Sequence, residues 1–323
     1  MKTKLLKLFS FKIRKQSSTL LILLIILVIF SSVILIITIP PRPVNILFFG
    51  HGIAISDNSG FSLVPKTTTA GDNVYVVWQS NKGHGISNIY FRASKDNGTT
   101  FGNIINLSHN TGLSSSPQIA AYNNNVYVVW QSNATRNSEI YFEKIVNVNN
   151  NNKSYFIQKN LSSNKTASSV SPNIIVLENY VYVIWRGSKA HGISNIYFRA
   201  SKDNGTSFLG NRNLSSNKTA SSSFPQIAAY NNNVYVVWQG NSGHGISNIY
   251  FSTILITRTS YNDIRLYYGD TVRLDSTLNF SRSPLVTIDK DHVYIVWESK
   301  VNRNIITYFQ HIREVSMPTI ANQ

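Results

Sequence analysis

The sequence predicts an all-β fold: a β-propeller of about five four-stranded blades, preceded by one N-terminal transmembrane helix. Three observations predict it. Near-copies of one phrase end at Trp78, Trp130, Trp185, Trp238 and Trp297, reading NVYVVW, NVYVVW, YVYVIW, NVYVVW and HVYIVW. They hold all five tryptophans of the protein, spaced 52, 55, 53 and 59 residues apart. A period near 50 residues with several strands per unit marks a propeller or a similar array. Next is composition: charged residues are 14% of the 323, and Tyr, Phe, Val, Ile, Asn and Ser dominate. That is a β-rich, polar-turn composition. The third is residues 19–39, TLLILLIILVIFSSVILIITI, which carry no charge. They are long enough to cross the hydrocarbon layer as a helix.

The N-terminal elements follow in order. Residues 1–18 form a basic segment with Lys2, Lys4, Lys7, Lys12, Arg14 and Lys15 and no offsetting acid. A basic flank before the helix puts the N-terminus in the cytoplasm and everything after Pro43 outside. Residues 19–39 read as an uncleaved signal anchor in the cell membrane, and 40–44 as a Pro-rich linker. A long cleaved signal peptide is the alternative, although no A-x-A-like site is visible. In both readings residues 45–323 are an exported domain. The net charge is +16, and about +10 remains once the six N-terminal cations are set aside. Those charges are spread through loops without a basic stripe interleaved with aromatics, which argues against nucleic acid. Anionic glycans or an acidic cell surface stay open as partners. The chain has no cysteine, so disulfides and thiolate metal sites are excluded.

One repeat unit is legible strand by strand. Residues 115–122, 125–132, 138–145 and 156–162 read as four strands, with an Asn turn at Asn123–Asn125. The same segments recur from Pro172 and from Pro225, and the first copy begins near Leu63. Four short antiparallel strands make one blade. The NVYVVW strand is apolar on both faces, as burial between neighbouring blades requires. The tryptophans therefore read as core. The last copy lacks a clear fourth strand. Residues 45–56, NILFFGHGIAIS, are apolar enough to complete it and close a ring of five blades. A degenerate sixth blade within the divergent residues 252–280 is the alternative.

Two segments carry a family resemblance. Ser94-Lys95-Asp96-Asn97-Gly98-Thr99-Thr100-Phe101 matches the pattern S/T-x-D-x-G-x-T-W/F, and residues 201–208 match it again with Ser201, Asp203, Gly205 and Phe208. Both follow an IYFRA strand. The chain resembles the sialidase-like (Asp-box, or BNR-repeat) β-propellers. The resemblance implies that each box is structural, lies in the turn between third and fourth strands, and sits away from the active-site face. Physically, Asp accepts backbone N–H bonds, Gly supplies unusual dihedrals and the aromatic tucks under the blade edge. Blades two and four lack the box.

The resemblance also implies what an active site would need: three arginines, a Tyr–Glu pair and an Asp acid/base. The early F/Y-R-I-P arginine motif is absent, and Glu139, Glu143, Glu178, Glu298 and Glu314 sit in no matching motif. Arg92 and Arg199 repeat at equivalent places, which points to blade structure. No catalytic residue, cofactor or metal is therefore assigned. The residues following each tryptophan, Gln79, Gln131, Arg186, Gln239 and Glu298, break the repeat and are the candidate ligand-binding set. They bind a polar ligand or simply cap strands and meet water. His84, His191 and His244 recur in HGISNIYF, and duplication explains them better than a metal. The expected function is a membrane-anchored, non-catalytic module for a glycan or an envelope protein. An exo-α-sialidase-type hydrolase with degenerate motifs is the alternative.

Overall fold

The computed structural model describes residues 50–313, except 58, 82–84, 110–111, 147–154, 163–167, 189–191, 216–220, 242–245, 259–263 and 276–279. The expected helix at 19–39, the segment before it and the linker after it lie outside the described residues. Among the described residues no helix is long and apolar enough to cross a membrane. The chain divides into two compact units, Met1–Ile53 and Ala54–Gln323. All the described strands belong to the second.

The strands form five antiparallel sheets in chain order, a propeller-like arrangement. Blade one holds β1 (Ser62–Ala70), β2 (Asn73–Ser80), β3 (Asn88–Ser94) and β4 (Ile105–Asn106). Blade two holds β5 (Ser114–Tyr122), β6 (Asn125–Thr135), β7 (Asn137–Val146) and β8 (Tyr155–Asn160). Blade three holds β9 (Ser168–Leu177), β10 (Tyr180–Ser188), β11 (Ser194–Ser201) and β12 (Arg212–Asn213). Blade four holds β13 (Ser221–Tyr230), β14 (Asn233–Asn241), β15 (Ser247–Arg258), β16 (Ile264–Tyr268) and β17 (Val272–Arg273). Blade five holds β18 (Phe280–Asp289), β19 (His292–Val301) and β20 (Asn304–Arg313).

The four strands read from residues 115–162 match β5 to β8. The degenerate sixth blade is overturned. Residues 264–273 belong to the fourth sheet, where β16 pairs with the end of β15 and β17 takes the fourth-strand place. The reason is length: β15 runs 12 residues, so its far half offers an edge for the inserted strand.

Local backbone chemistry repeats with the blades. The hairpin between first and second strands turns through Gly71, Asn123, Glu178, Asn231 and Lys290, all with φ between 51° and 58°. Such positive dihedrals match the twist of a two-residue hairpin. Each first strand also carries a bulge. Val64, Ser116, Ser171, Phe224 and Ser283 have φ of 50–54°, and each precedes a proline: Pro65, Pro117, Pro172, Pro225 and Pro284. Proline brings no N–H to the ladder, and the register shifts at each of these points.

Four buried clusters fill the seams between consecutive blades. Tyr75, Val77 and Phe91 of blade one meet Val126, Val128 and Trp130 of blade two. Tyr127, Val129 and Phe142 then meet Val181, Val183 and Trp185. Tyr182, Ile184 and Phe198 meet Val234, Val236 and Trp238. Tyr235, Val237 and Phe251 meet Val293, Ile295 and Trp297. Each of the last four tryptophans thus wedges into the seam before its own blade. Each of the five also stacks on a third-strand tyrosine in direct cross-strand register, with centroids 5.7–6.1 Å apart.

Among the described residues blade five has the expected three strands. The expected closing strand is not paired there: residues 50–56 form no strand. Instead the Ile55 carbonyl accepts a 2.9 Å hydrogen bond from Arg92 in blade one. Residues 45–49 lie outside the described residues.

Candidate ligand-binding site

The candidate residues Gln79, Gln131, Arg186, Gln239 and Glu298 occupy one rung of the five blades. Each sits one position past its tryptophan, faces the first strand beside the bulge, and is half-buried. Their cross-strand partners are Leu63, Ser115, Val170, Ser223 and Arg282. Among the described residues no hydrogen bond joins one of the five to another.

Gln131 shows what the rung does structurally. Its amide nitrogen donates to Ser115 Oγ at 3.0 Å. Its oxygen accepts the Ser171 N–H of the next blade at 2.8 Å. Ser171 is the bulge residue of blade three, so Gln131 satisfies a donor that the bulge releases from the ladder. Glu298 accepts a 2.8 Å bond from Arg282 Nε, an ion pair with both side chains partly exposed. Arg186 Nε and Gln239 Oε1 are buried and have no partner among the described residues.

Residues 94–101 and 201–208 build matching turns between third and fourth strands. Ser94 Oγ donates to Asp96 Oδ1 at 2.7 Å and accepts the Gly98 N–H at 2.8 Å. Asp96 also accepts the Thr100 N–H at 2.8 Å and its hydroxyl at 2.6 Å. The bonds from Thr100 and Ser94 hold the Asp96 carboxyl down at about 2. Residues 201–208 repeat the pattern through Ser201, Asp203, Gly205 and Ser207. Burial there pushes the Asp203 carboxyl up, but the hydrogen bonds from Ser207 and Ser201 outweigh it and the net shift is downward.

The second of these turns and the strand before it also tie two blades together. Phe208 meets Phe142 of blade two edge to face, with centroids 4.9 Å apart. Tyr127 donates to Asn204 Oδ1 at 3.4 Å, and Arg199 donates to the Leu161 carbonyl at 3.0 Å. In blade four, Tyr268 of the extra strand meets Phe198 of blade three in the same edge-to-face manner.

Glu143 carries no role in the sequence reading. It lies on β7 where blades one and three place Arg92 and Arg199. It is buried, Oε2 has no partner among the described residues, and burial pushes its carboxyl up to about 7 against a single bond from Gln158. Aligning the repeats exposes the signal: an acid replaces an arginine at a seam position.

Open space lies at the other end of the blades, beside the first-to-second-strand hairpins. A groove of about 890 Å³ between blades one and two is lined by Thr69, Asn73, Tyr122, Asn123 and Asn124. An equivalent groove of about 700 Å³ between blades three and four is lined by Glu178, Tyr180, Tyr230, Asn231, Asn232 and Thr257. Tyr122-Asn123-Asn124 and Tyr230-Asn231-Asn232 are the same repeat positions. Each groove combines aromatic rings with side-chain amides that donate and accept. His84, His191 and His244 lie outside the described residues. Among the described residues no cluster of three His, Cys, Asp or Glu is placed to hold a metal.

No protein-family model matches the chain, and no curated protein matches it. Its structure is similar to several solved sialidase structures. A Trypanosoma rangeli sialidase in complex with the inhibitor DANA is 11% identical over 77% of this chain and 54% of its own, with a TM-score of 0.41. An intramolecular trans-sialidase from Ruminococcus gnavus in complex with oseltamivir carboxylate is 12% identical over 71% and 50%, with a TM-score of 0.45. A leech intramolecular trans-sialidase complexed with 2,7-anhydro-Neu5Ac is 11% identical over 79% and 42%, with a TM-score of 0.45. The chain spans about half the length of these structures.

Proposed function

We propose that this chain is a membrane-anchored, extracytoplasmic propeller that binds a glycan without turning it over. Residues 19–39 anchor it and the blades face outward. The observation that carries the reading is the pair of hairpin-end grooves with matching Tyr-Asn-Asn linings. Aromatic rings pack against the apolar faces of sugar rings, and amides bond hydroxyls in both directions. Their size suits a small saccharide unit. The grooves offer few charges, Glu178 being the one acid among the residues named, so neutral, hydroxyl-rich ligands fit better than acidic ones. The rung of Gln79, Arg186 and Gln239 at the opposite end is a second contact region for a polar partner.

Three features favour binding over hydrolysis. Glu298 is committed to Arg282 and Gln131 to the bulge of the next blade. Glu143, the acid raised closest to neutrality, is closed inside a seam. The test uses the full-length chain in detergent on a panel of immobilised neutral and sialylated glycans, with a fluorogenic sialoside alongside. Binding to neutral glycans that falls at least tenfold in Tyr122→Ala and Tyr230→Ala supports the proposal. Sialoside turnover, or glycan binding unchanged in both variants, overturns it.

A further inference from the structure

Blade five departs from the repeat at two positions that touch. The second strands of blades one to four open with Asn73, Asn125, Tyr180 and Asn233, and blade five places His292 there. Opposite the second-strand tyrosine, the third strands of blades one to four carry Ala93, Lys144, Ala200 and Thr253, and blade five carries His311. No other blade has a histidine at either position. Duplication, which accounts for the histidines of HGISNIYF, does not account for these two.

Strand register brings the pair together. His292 of β19 faces Arg313 of β20, and Tyr294 faces His311. His292 and His311 are thus diagonal neighbours on one face of the ladder, within reach of ring side chains. Their facing nitrogens, His292 Nδ1 and His311 Nε2, lie 2.7 Å apart. Tyr294 stacks on His311 with centroids 5.2 Å apart and planes at 17°, and the two imidazoles are tilted by 39°. Rings carried on paired strands and braced by a third ring hold their direction better than side chains on loops.

The far nitrogen of His292 sets its tautomer. Asp291 Oδ1 lies 3.5 Å from His292 Nε2, which favours a proton on Nε2 and leaves Nδ1 a bare lone pair. Arg313 Nε sits 3.9 Å from the other oxygen of Asp291, so Oδ1 stays with the histidine. His311 then has two options. With Nε2 protonated it donates to His292 Nδ1, a plain hydrogen bond. With its proton on Nδ1, two lone pairs converge on one point, and that arrangement calls for a cation between them.

We propose that His292 and His311 bind a divalent late transition-metal ion, Cu2+ or Zn2+, with Asp291 as the outer carboxylate that orients His292. Metal–imidazole bonds of about 2.0–2.1 Å, meeting at about 90–109°, need nitrogens about 2.9–3.3 Å apart. The pair reaches that spacing by opening a few tenths of an ångström. Both side chains have room to do so: His311 is exposed and the His292 side chain is 34% exposed. Among the described residues no third His, Cys, Asp or Glu completes the set. The remaining coordination positions therefore go to water and stay open to exchange. Imidazole and water ligands suit Cu2+ best, with Zn2+ behind it. The bound ion ties β19 to β20 across the ladder of blade five.

The test uses the full-length chain, stripped with a chelator, then titrated with Zn2+ by calorimetry and with Cu2+ by electron paramagnetic resonance. His292→Asn and His311→Ala are suitable variants, because each restores a residue that other blades carry at that position. The parent is expected to bind one Zn2+ ion that the double variant does not bind. Either single variant should weaken binding by about a hundredfold, and Asp291→Asn by about tenfold, the smaller effect of losing an outer partner. The parent's copper spectrum should carry two imidazole nitrogens, and that of each single variant one. Zn2+ binding unchanged in the double variant overturns the proposal and places the ion on other histidines. A parent that binds neither ion overturns it as well and reduces the pair to a hydrogen bond. The parent's copper spectrum needs no substitution, so fewer than two imidazole nitrogens there rejects the site even if a variant fails to fold.

Discussion

At the scale of single residues, the repeats act as internal controls. Gly205 has a φ of +79°, and a Cβ built there falls 2.6 Å from Phe142 Cζ across the seam. Gly205→Ala thus combines left-handed strain with a clash against a well-packed ring. A loss of about 2–4 kcal/mol is expected by chemical denaturation. Glu143 makes a prediction of opposite sign. Its folded-state pKa is raised to about 7 from an unfolded value near 4.3, so the folded state binds the extra proton. Stability is therefore highest below about pH 4 with respect to this group, and it declines as pH rises toward 7. Glu143→Gln keeps the hydrogen-bonding shape without the charge. It should stabilise the protein at pH 8, on the order of 3 kcal/mol, and flatten the pH dependence between about pH 4 and 7. Asp96 behaves in the reverse way. Its lowered carboxyl contributes stability above the unfolded value near 3.9, which is lost as pH falls toward 2. Asp96→Asn should therefore lose less stability than the parent between pH 5 and pH 2, measured by Tm.

At the scale of elements, the strands were largely legible and the ties between blades were not. The NVYVVW strand announced itself because burial on both faces demands an unbroken apolar run. The Asn turn at Asn123–Asn125 was legible from turn chemistry. The first-strand bulge had a visible signal as well, the proline repeated as Pro65, Pro117, Pro172, Pro225 and Pro284, whose meaning needed the backbone. The extra strand β16 was hidden, because its five residues, Ile-Arg-Leu-Tyr-Tyr, follow a polar stretch and have no counterpart in the other repeats. The rung residues illustrate the limit best. Gln131 is polar and breaks no local rule, and nothing in its neighbourhood along the chain points to Ser171, forty residues away. Gln131→Ala leaves that half-buried N–H without its acceptor and should cost about 1 kcal/mol, or roughly 2–4 °C in Tm. Gln131→Glu retains the acceptor, and should recover part of that loss at neutral pH.

At the scale of the whole molecule, stability is distributed over seams rather than stored in one core. Each apolar cluster is shared by two blades, so removing a blade uncovers the face of its neighbour. Truncation after Asp275 removes blade five and exposes Tyr235, Val237 and Phe251, which are buried now. Repeat arrays of this kind need a terminal unit that tolerates water. The truncated chain should therefore lose soluble yield, and its Tm should fall, in a direct comparison with the full chain. The division into five sheets was legible because the tryptophan spacing reports one blade per interval. The grooves at the hairpin ends were not, since each is formed by turns of two blades that the sequence separates by about 50 residues.

The second strands carry a consequence for the life of the chain outside its native state. NVYVVW and its variants are uncharged or nearly so, free of proline and rich in β-formers, which is the signature of segments that stack into cross-β fibrils. In the folded protein each lies in the interior of its sheet, hydrogen-bonded on both edges. A stalled nascent chain or a partly melted molecule releases up to five copies at once, three of them identical in sequence. Identical segments on neighbouring chains pair in register without any further adaptation. Folding of this protein is therefore a race against self-templating, and conditions that loosen one blade should seed amyloid-like precipitate before they yield a soluble unfolded chain.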